Sequence, residues 1–328
     1  MHTSAFFRLF PPPRFIDIHH AGLDISDDFI RCLAYKRDSR ELTIGAHTSV
    51  AMPTGIMSGG DIIDESGLTE ILAGLTKRVD LRHVKASIPE EKAYLFQTDV
   101  PDTDIRSIRQ NIEFKLEENV PLSAADAVFY FDLMPLSVTG GILRASVSVV
   151  PRTYIERYSA ILSRVGILPV AFEVVPKAIA RAIVAPHSDE TIMIVHIMGH
   201  KTGIYIASGG VVVFTSTYGW SSLDEMTKED TGTPPVSFTW AISKEINRIY
   251  AYWVSHGGAS APVRRIVLVG TGSLKHEGQL QNVIQGANVP VGVADVWQNA
   301  FAVERYVPPI KRADSLEYVV SAGLGLFS

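Results

Sequence analysis

Three stretches of this sequence carry residue types that could handle a phosphate. The first is "AGLDISDDFIRCLAYK", Ala21 to Lys36. It reads as a strand, a tight turn and a second strand, and such a turn can aim backbone N–H groups at phosphate oxygens. Its turn holds Ser26, Asp27 and Asp28, where a phosphate-binding turn wants glycine and hydroxyls. The second is "HIMGHKT", with His196, Gly199, Lys201 and Thr202, again between two strand patterns. Lys201 could meet a phosphate as a point charge, although the commoner reading is an exposed turn lysine. The third is "VLVGTGS", in which Gly270, Thr271, Gly272 and Ser273 turn a strand into a helix. Backbone without a Cβ could approach a nucleoside closely there, or could simply make a tight turn.

Charge decides how well the first turn suits a phosphate. A carboxylate about 4–5 Å from a phosphate charge, at an effective dielectric near 20, costs about 3–4 kcal/mol. That corresponds to roughly a hundredfold in affinity or more. Asp27 and Asp28 therefore oppose a triphosphate unless a cation intervenes, and the alternative is that one of them binds a cation directly. Four-residue spacing of His196 and His200 suits zinc on a helix, but here the pattern is strand then turn, so no metal site is expected. His196 is expected to be partly buried and satisfied by a hydrogen bond.

The elements that must position these residues are legible as patterns. Period-2 alternation predicts an antiparallel meander of three strands through "RFIDIHHAGLDIS", "FIRCLAYK" and "ELTIGAHTSVAM". A helix follows, capped by Asp64 or Ser66, and then the short buried strand "HVKASIP". From Lys92 the order is strand, helix with Ile105, Ile108, Ile112 and Leu116 on its apolar face, and two strands. Two helices come next, the first closed by Gly166. Near Asp189 a second strand–turn–strand unit repeats the plan of the first. It leads through a polar loop to the helix "FTWAISKEINRIYAYWVSHGG", which places Glu245 and Arg248 on one face at i, i+3. Two strand–turn–strand units and a glycine-rich turn suit clamping a nucleotide in a cleft.

Composition bounds the class. The chain has 328 residues, 46% of them hydrophobic and 20% charged, which suits a folded protein of two lobes. A net charge of −5 argues against a nucleic-acid protein. The one cysteine, Cys32, excludes an internal disulfide, fits a reducing compartment and reads as a small buried apolar residue. No run of about 18 apolar residues is present to span a bilayer. The start, "MHTSAFFRLFPPPR", is too short in its apolar part for a signal peptide and is expected to be a disordered tail. Phe6, Phe7, Leu9 and Phe10 could alternatively touch a membrane surface or a partner.

At this point the sequence resembles the type IV pilus assembly protein PilM family, related to the cell-division protein FtsA. "AGLDIS" resembles the family's "GIDIG", and "ISKEINRIYAYW" its Glu-Ile-x-Arg-Ser-x-x-Tyr-Tyr helix. "VLVGTGS" resembles its "LxGGG" turn, and "SAGLGL" its "GLAL" ending. "PTGIMSGGDIIDESGLTEIL" and "IEFKLEENVPLSAADAVFYFDLM" match further segments in the same order, so the resemblance runs from about Ala21 to Phe327. It implies an α/β, actin-like (ribonuclease H-like) two-lobe ATPase fold with an inserted small strand-helix-strand-strand (SHS2-like) subdomain. Expected boundaries are a flexible tail at 1–13, a first lobe at 14–88 and 169–187, the subdomain at 89–168, and a second lobe at 188–328 with a helical insertion at about 220–260.

The resemblance also implies roles. Asp24 stands at the position that organises magnesium through water. The family's first turn, Asp-Ile-Gly-Ser-Ser-Ser, has become Asp24, Ile25, Ser26, Asp27, Asp28. Its second, Asp-Ile-Gly-x-x-x-Thr, has become His196, Ile197, Met198 and onward to Thr202, which loses a carboxylate and sets a side chain at Met198 where phosphate approaches. Glu245 and Arg248 would lie near ribose and base, or else form a solvated pair. The triphosphate half looks damaged while the nucleoside half does not. The expectation is a pseudo-ATPase with no catalytic residue, for which ATP and Mg²⁺ are doubtful cofactors. The implied role is a cytoplasmic scaffold, peripheral on the inner membrane. It would bind the N-terminal peptide of a bitopic PilN-like partner in a pilus or type II secretion-like platform. Two alternatives remain: an active Mg-ATP-dependent ATPase or phosphotransferase, and an FtsA-like filament former, whose C-terminal amphipathic helix has no counterpart after "GLGLFS".

Overall fold

The computed structural model describes residues 19–38, 41–79, 81–134, 140–219, 238–256, 261–283 and 289–326. The tail expected at 1–13, the strand start at 14–18 and the opening of the expected insertion at 220–260 lie outside the described residues. Alternating apolar residues make the first meander, β1 (Ala21–Ile25), β2 (Phe29–Asp38) and β3 (Glu41–Ala51), antiparallel throughout. A short hairpin, β4 (Met57–Ser58) and β5 (Asp61–Ile62), leads to α1 (Glu65–Thr76). Asp64 caps α1 by accepting the N–H groups of Ser66 and Gly67 at 3.0 and 3.1 Å. Leu68, Leu72 and Leu75, on one face at helical spacing, are buried against the meander. β6 (His83–Ile88) then pairs parallel to β1.

A small unit follows: β7 (Tyr94–Pro101), α2 (Ile105–Asn119), β8 (Ala127–Leu133) and β9 (Ile142–Pro151). Its sheet runs β7-β9-β8, and Ile108, Ile112 and Leu116 of α2 are buried on it. Ile105, expected on that apolar face, is instead 65% exposed. It is the first helical residue after the cap Asp104, and a helical side chain leans back toward the N-terminus, where no earlier turn supports it.

The chain returns through α3 (Arg152–Arg164), β10 (Leu168–Val174) and α4 (Val175–Ile183). β10 joins β6, completing a five-stranded sheet ordered β10-β6-β1-β2-β3. A second five-stranded sheet, β13-β12-β11-β14-β15, comes from β11 (Thr191–Ile197), β12 (Lys201–Ser208), β13 (Val211–Gly219), β14 (Val263–Gly270) and β15 (Val291–Val293). It also begins as an antiparallel meander, and it carries α5 (Phe238–Ser255) and α6 (Ser273–Val283). Short α7 (Arg312–Ser315) precedes α8 (Val319–Gly325).

The central core lies between the two sheets. There α4 and α8 pack with Leu33 of β2, Ile192 and Ile194 of β11, and Val267 and Val269 of β14. The fit is close: a Cβ on Gly323 would fall 1.8 Å from the Ala178 carbonyl oxygen, so α8 meets α4 there only through glycine. The small unit is tied to the second sheet as well, since Gln97 and Ser146 donate to the Val213 and Val212 carbonyls at 3.0 and 2.6 Å.

Candidate functional site

The β1–β2 turn of the first sheet meets the β11–β12 turn of the second. Both contribute to one small cavity, with Ser26, Asp27 and Asp28 from the first turn and His196, Gly199 and Lys201 from the second. Gly270 and Thr271 complete its wall, joined by Arg31 and Glu317. Asp24, Thr202, Gly272, Ser273, Glu245 and Arg248 do not line it. The pair Glu245–Arg248 engages itself on α5, with Arg248 Nε donating to Glu245 at 2.8 Å.

Each turn residue has a partner within the protein. Ser26 closes its own turn, its hydroxyl donating to the Phe29 carbonyl at 2.9 Å and accepting the Phe29 N–H at 3.2 Å. Asp27 accepts the Gly60 N–H at 2.9 Å and lies 3.7 Å from Lys201 Nζ. Asp28 reaches across to the other turn, where it accepts the Gly199 N–H at 3.1 Å and sits 3.1 Å from His200 Nε2. A Cβ on Gly199 would fall 2.6 Å from that carboxylate, so glycine is what admits it.

Lys201 is not the exposed turn lysine expected from its local sequence. Its side chain is 14% exposed and ion-paired with Glu91. Burial alone would lower its pKa, but Glu90, Glu91 and Asp27 outweigh burial and raise it. Glu90 is itself buried, accepting from Tyr205 at 2.8 Å and Thr217 at 3.3 Å, and burial together with Glu91 pushes its carboxyl upward. His196 also departs from expectation. It is buried, and its Nδ1 has no hydrogen-bond partner among the described residues. Burial, then Lys201 and Arg31, pull its pKa down to about 3.

The nucleotide-handling features have structural explanations. Asp24 faces Arg31 in the β1–β2 register, and burial raises its carboxyl despite Arg31, Ser87 and Lys201. A magnesium site wants an ionised, reachable carboxylate, and Asp24 is 6% exposed. At Gly270, with φ +90°, a Cβ would fall 2.2 Å from the Ile197 carbonyl oxygen, and the neighbouring Thr271 N–H donates to that oxygen at 2.9 Å. Close strand packing alone therefore demands this glycine. The Ser273 hydroxyl donates to the Gly270 carbonyl at 2.9 Å. The cavity volume is about 30 Å³, room for roughly one or two waters. The residues present do not fit a magnesium triphosphate.

Two groups at this site were not singled out from sequence. Arg31 was within reach, because a tight hairpin turn after Ile25 sets it opposite Asp24. Glu317, which pairs with Arg31 at 2.8 Å, comes from 286 residues away and leaves no local signal.

A larger groove, about 890 Å³, lies where the small unit meets both sheets. Consecutive residues of β8 (Val128 to Tyr130) and of β10 (Ala171 to Val174) line it. Neighbouring residues on a strand point to opposite faces, so such a run marks the strand's edge rather than one face. β8 and β10 each end their sheets. Lys177 of α4 closes part of the groove, 2.8 Å from Asp132 of β8 and over the Tyr130 ring at 3.4 Å. The Gly209–Gly210 turn of the second sheet lines it as well. The sequence reading gives β8 but runs from one helix to the next across Leu168–Val174, so it misses β10, and nothing local shows that two edges face one space.

Comparison with protein-family models finds no match, and comparison with curated proteins finds none. Among solved structures, the chain is similar to one described as a PilM-PilN type IV pilus biogenesis complex. The identity is 17% over 94% of this chain and 98% of that one, with a TM-score of 0.74. It is also similar to the ethanolamine utilization protein EutJ from Carboxydothermus hydrogenoformans, at 13% identity over 97% and 91% of the two chains, with a TM-score of 0.51. The likeness shows the fold, an actin-like α/β ATPase fold. Among the described residues, no helix is long and apolar enough to cross a membrane.

Proposed function

We propose that this chain is a non-enzymatic scaffold of an inner-membrane platform, of the kind that serves type IV pilus assembly or type II secretion. In this reading it holds a cytoplasmic peptide of a bitopic, PilN-like membrane partner and sits peripherally on the inner membrane through that partner. Residues 14–88 and 169–187 form the first lobe, 89–168 the inserted subdomain, and 188–328 the second lobe. The turns at 24–28, 196–202 and 270–273, with Glu245 and Arg248, descend from a nucleotide site that no longer handles a triphosphate.

The observation that carries the reading is the groove of about 890 Å³ walled by the edges of β8 and β10. An open strand edge offers unpaired N–H and C=O groups, which suit an extended peptide, and side-chain pockets beside it supply selectivity. Val128 and Tyr130 on one wall and Phe172 and Val174 on the other give apolar area for such anchors. Fold likeness to a structure described as a PilM-PilN complex adds support.

The test is calorimetric titration with a synthetic peptide from the cytoplasmic N-terminus of the bitopic protein encoded beside this chain. Specific binding is expected, weakened at least tenfold by Val128→Arg, with the melting temperature unchanged. Absence of binding by every such membrane-anchored neighbour would overturn the reading. ATP with Mg²⁺ in the same calorimeter is expected to give weak heat or none.

A further inference from the structure

We infer that Asp27 and Asp28 occupy, from within the chain, the cradle that the two turns would offer a phosphate, and that Asp28 thereby clasps the two sheets' lobes together. The first half rests on reading these turns as former phosphate turns; the second rests on geometry alone.

The donors a phosphate would need are backbone N–H groups and a cation at the meeting of the turns. Those groups are present and already taken. Gly199 donates to Asp28 at 3.1 Å and Lys201 stands 3.7 Å from Asp27, which is held in place by the Gly60 N–H of the β4–β5 hairpin at 2.9 Å. Ser26 spends its hydroxyl on Phe29. What remains is about 30 Å³. The carboxylates that would repel a nucleotide are thus the groups that satisfy the cradle in its place.

Two of these contacts cross between lobes, Asp28 with Gly199 and Asp27 with Lys201. Asp28 belongs to the first sheet's turn and Gly199 to the second's, 171 residues apart. The neighbouring His200 side chain is 84% exposed, so its contact with Asp28 is well screened by solvent and contributes little. The part of the clasp that Asp28 supplies therefore depends on the hydrogen bond from Gly199. In an actin-like fold a bound nucleotide would bridge these turns, whereas here closure needs none.

Two measurements on the full chain test this. The first is hydrogen exchange at the Gly199 and Gly60 amides. The second is the distance between spin labels on Glu70→Cys of α1 and Lys275→Cys of α6, both exposed positions. Buried Cys32, its thiol pushed up to about 12, stays unlabelled. In wild type the distance should be single and unchanged by ATP with Mg²⁺. Asp28→Ala should speed Gly199 exchange tenfold or more and broaden the distance toward longer values. Asp28→Asn, which keeps an acceptor oxygen, should retain most of the protection. Gly199 exchange within twofold of wild type in Asp28→Ala, with an unchanged distance, would overturn the clasp. Should Asp28→Ala fail to fold, Asp28→Asn decides: protection lost in that folded variant overturns it too.

Asp27→Ser with Asp28→Ser separates the two halves. Measurable binding of inorganic phosphate or ATP by this variant supports the internal occupant. An opened variant that binds neither leaves the clasp standing and overturns both the cradle and the phosphate-turn reading beneath it.

Discussion

At the residue scale, the cleft is a set of charges enclosed with their partners. Lys201 is the keystone, facing Glu91, Asp27 and buried Glu90. Removing one partner of such a buried set leaves the others uncompensated. Lys201→Met is expected to cost roughly 3 kcal/mol in urea denaturation, given what breaking a buried pair costs. His196 makes a pH prediction with a definite sign. Its folded pKa is lowered to about 3 from 6.5, so the folded protein resists a proton that the unfolded chain accepts. The contribution is intact above pH 6.5 and is lost as pH falls from there toward 3, at up to about 1.4 kcal/mol per pH unit. A urea series across that window should show the slope in wild type and a shallower one in His196→Asn; equal slopes would refute it. Neither residue's setting was legible in sequence. Lys201 stands at the end of a turn between polar His200 and Thr202, and of the acids that enclose it Glu91 lies 110 positions earlier and Asp27 farther still. Cys32 was legible, because a lone cysteine in a strand pattern has few alternatives, and it is fully buried.

At the element scale, local signals carried much further. Alternation through 21–51 gave the antiparallel meander, and Asp64 ahead of an apolar stripe gave the start of α1. Asp64→Ala should cost about 1 kcal/mol in chemical denaturation, the usual worth of such a cap. Ile105 shows where periodicity overreaches, since a stripe extrapolated to the first residue of a helix runs past the surface it packs on. The tight contact of α8 with α4 was invisible in sequence, because "SAGLGL" reads as a small-residue helix whatever it touches. The distance of 1.8 Å at Gly323 makes it a sharp prediction. Gly323→Ala should destabilise by about 1–3 kcal/mol, although alanine is the better helix former, because overpacking outweighs propensity. A gain in stability from that substitution would mean the two helices sit farther apart.

At the scale of the whole molecule, the small unit is the part whose attachment matters most. It meets the second sheet through Gln97 and Ser146, and helix α4 through Asp132 to Lys177. The groove is therefore shaped by three bodies at once, and its walls should shift if any joint loosens. Gln97→Ala combined with Ser146→Ala should accelerate amide exchange in β7 and β9 while leaving β1 and β11 protected; uniform exchange across all four strands would argue that the unit does not move by itself. The groove has one more consequence. An unpaired strand edge is a template for any extended chain that reaches it, including another copy of the same protein. If the groove serves as proposed, the two strands that end their sheets there are exposed to mispairing until the partner arrives. Producing the chain together with the proposed partner should then raise its soluble yield.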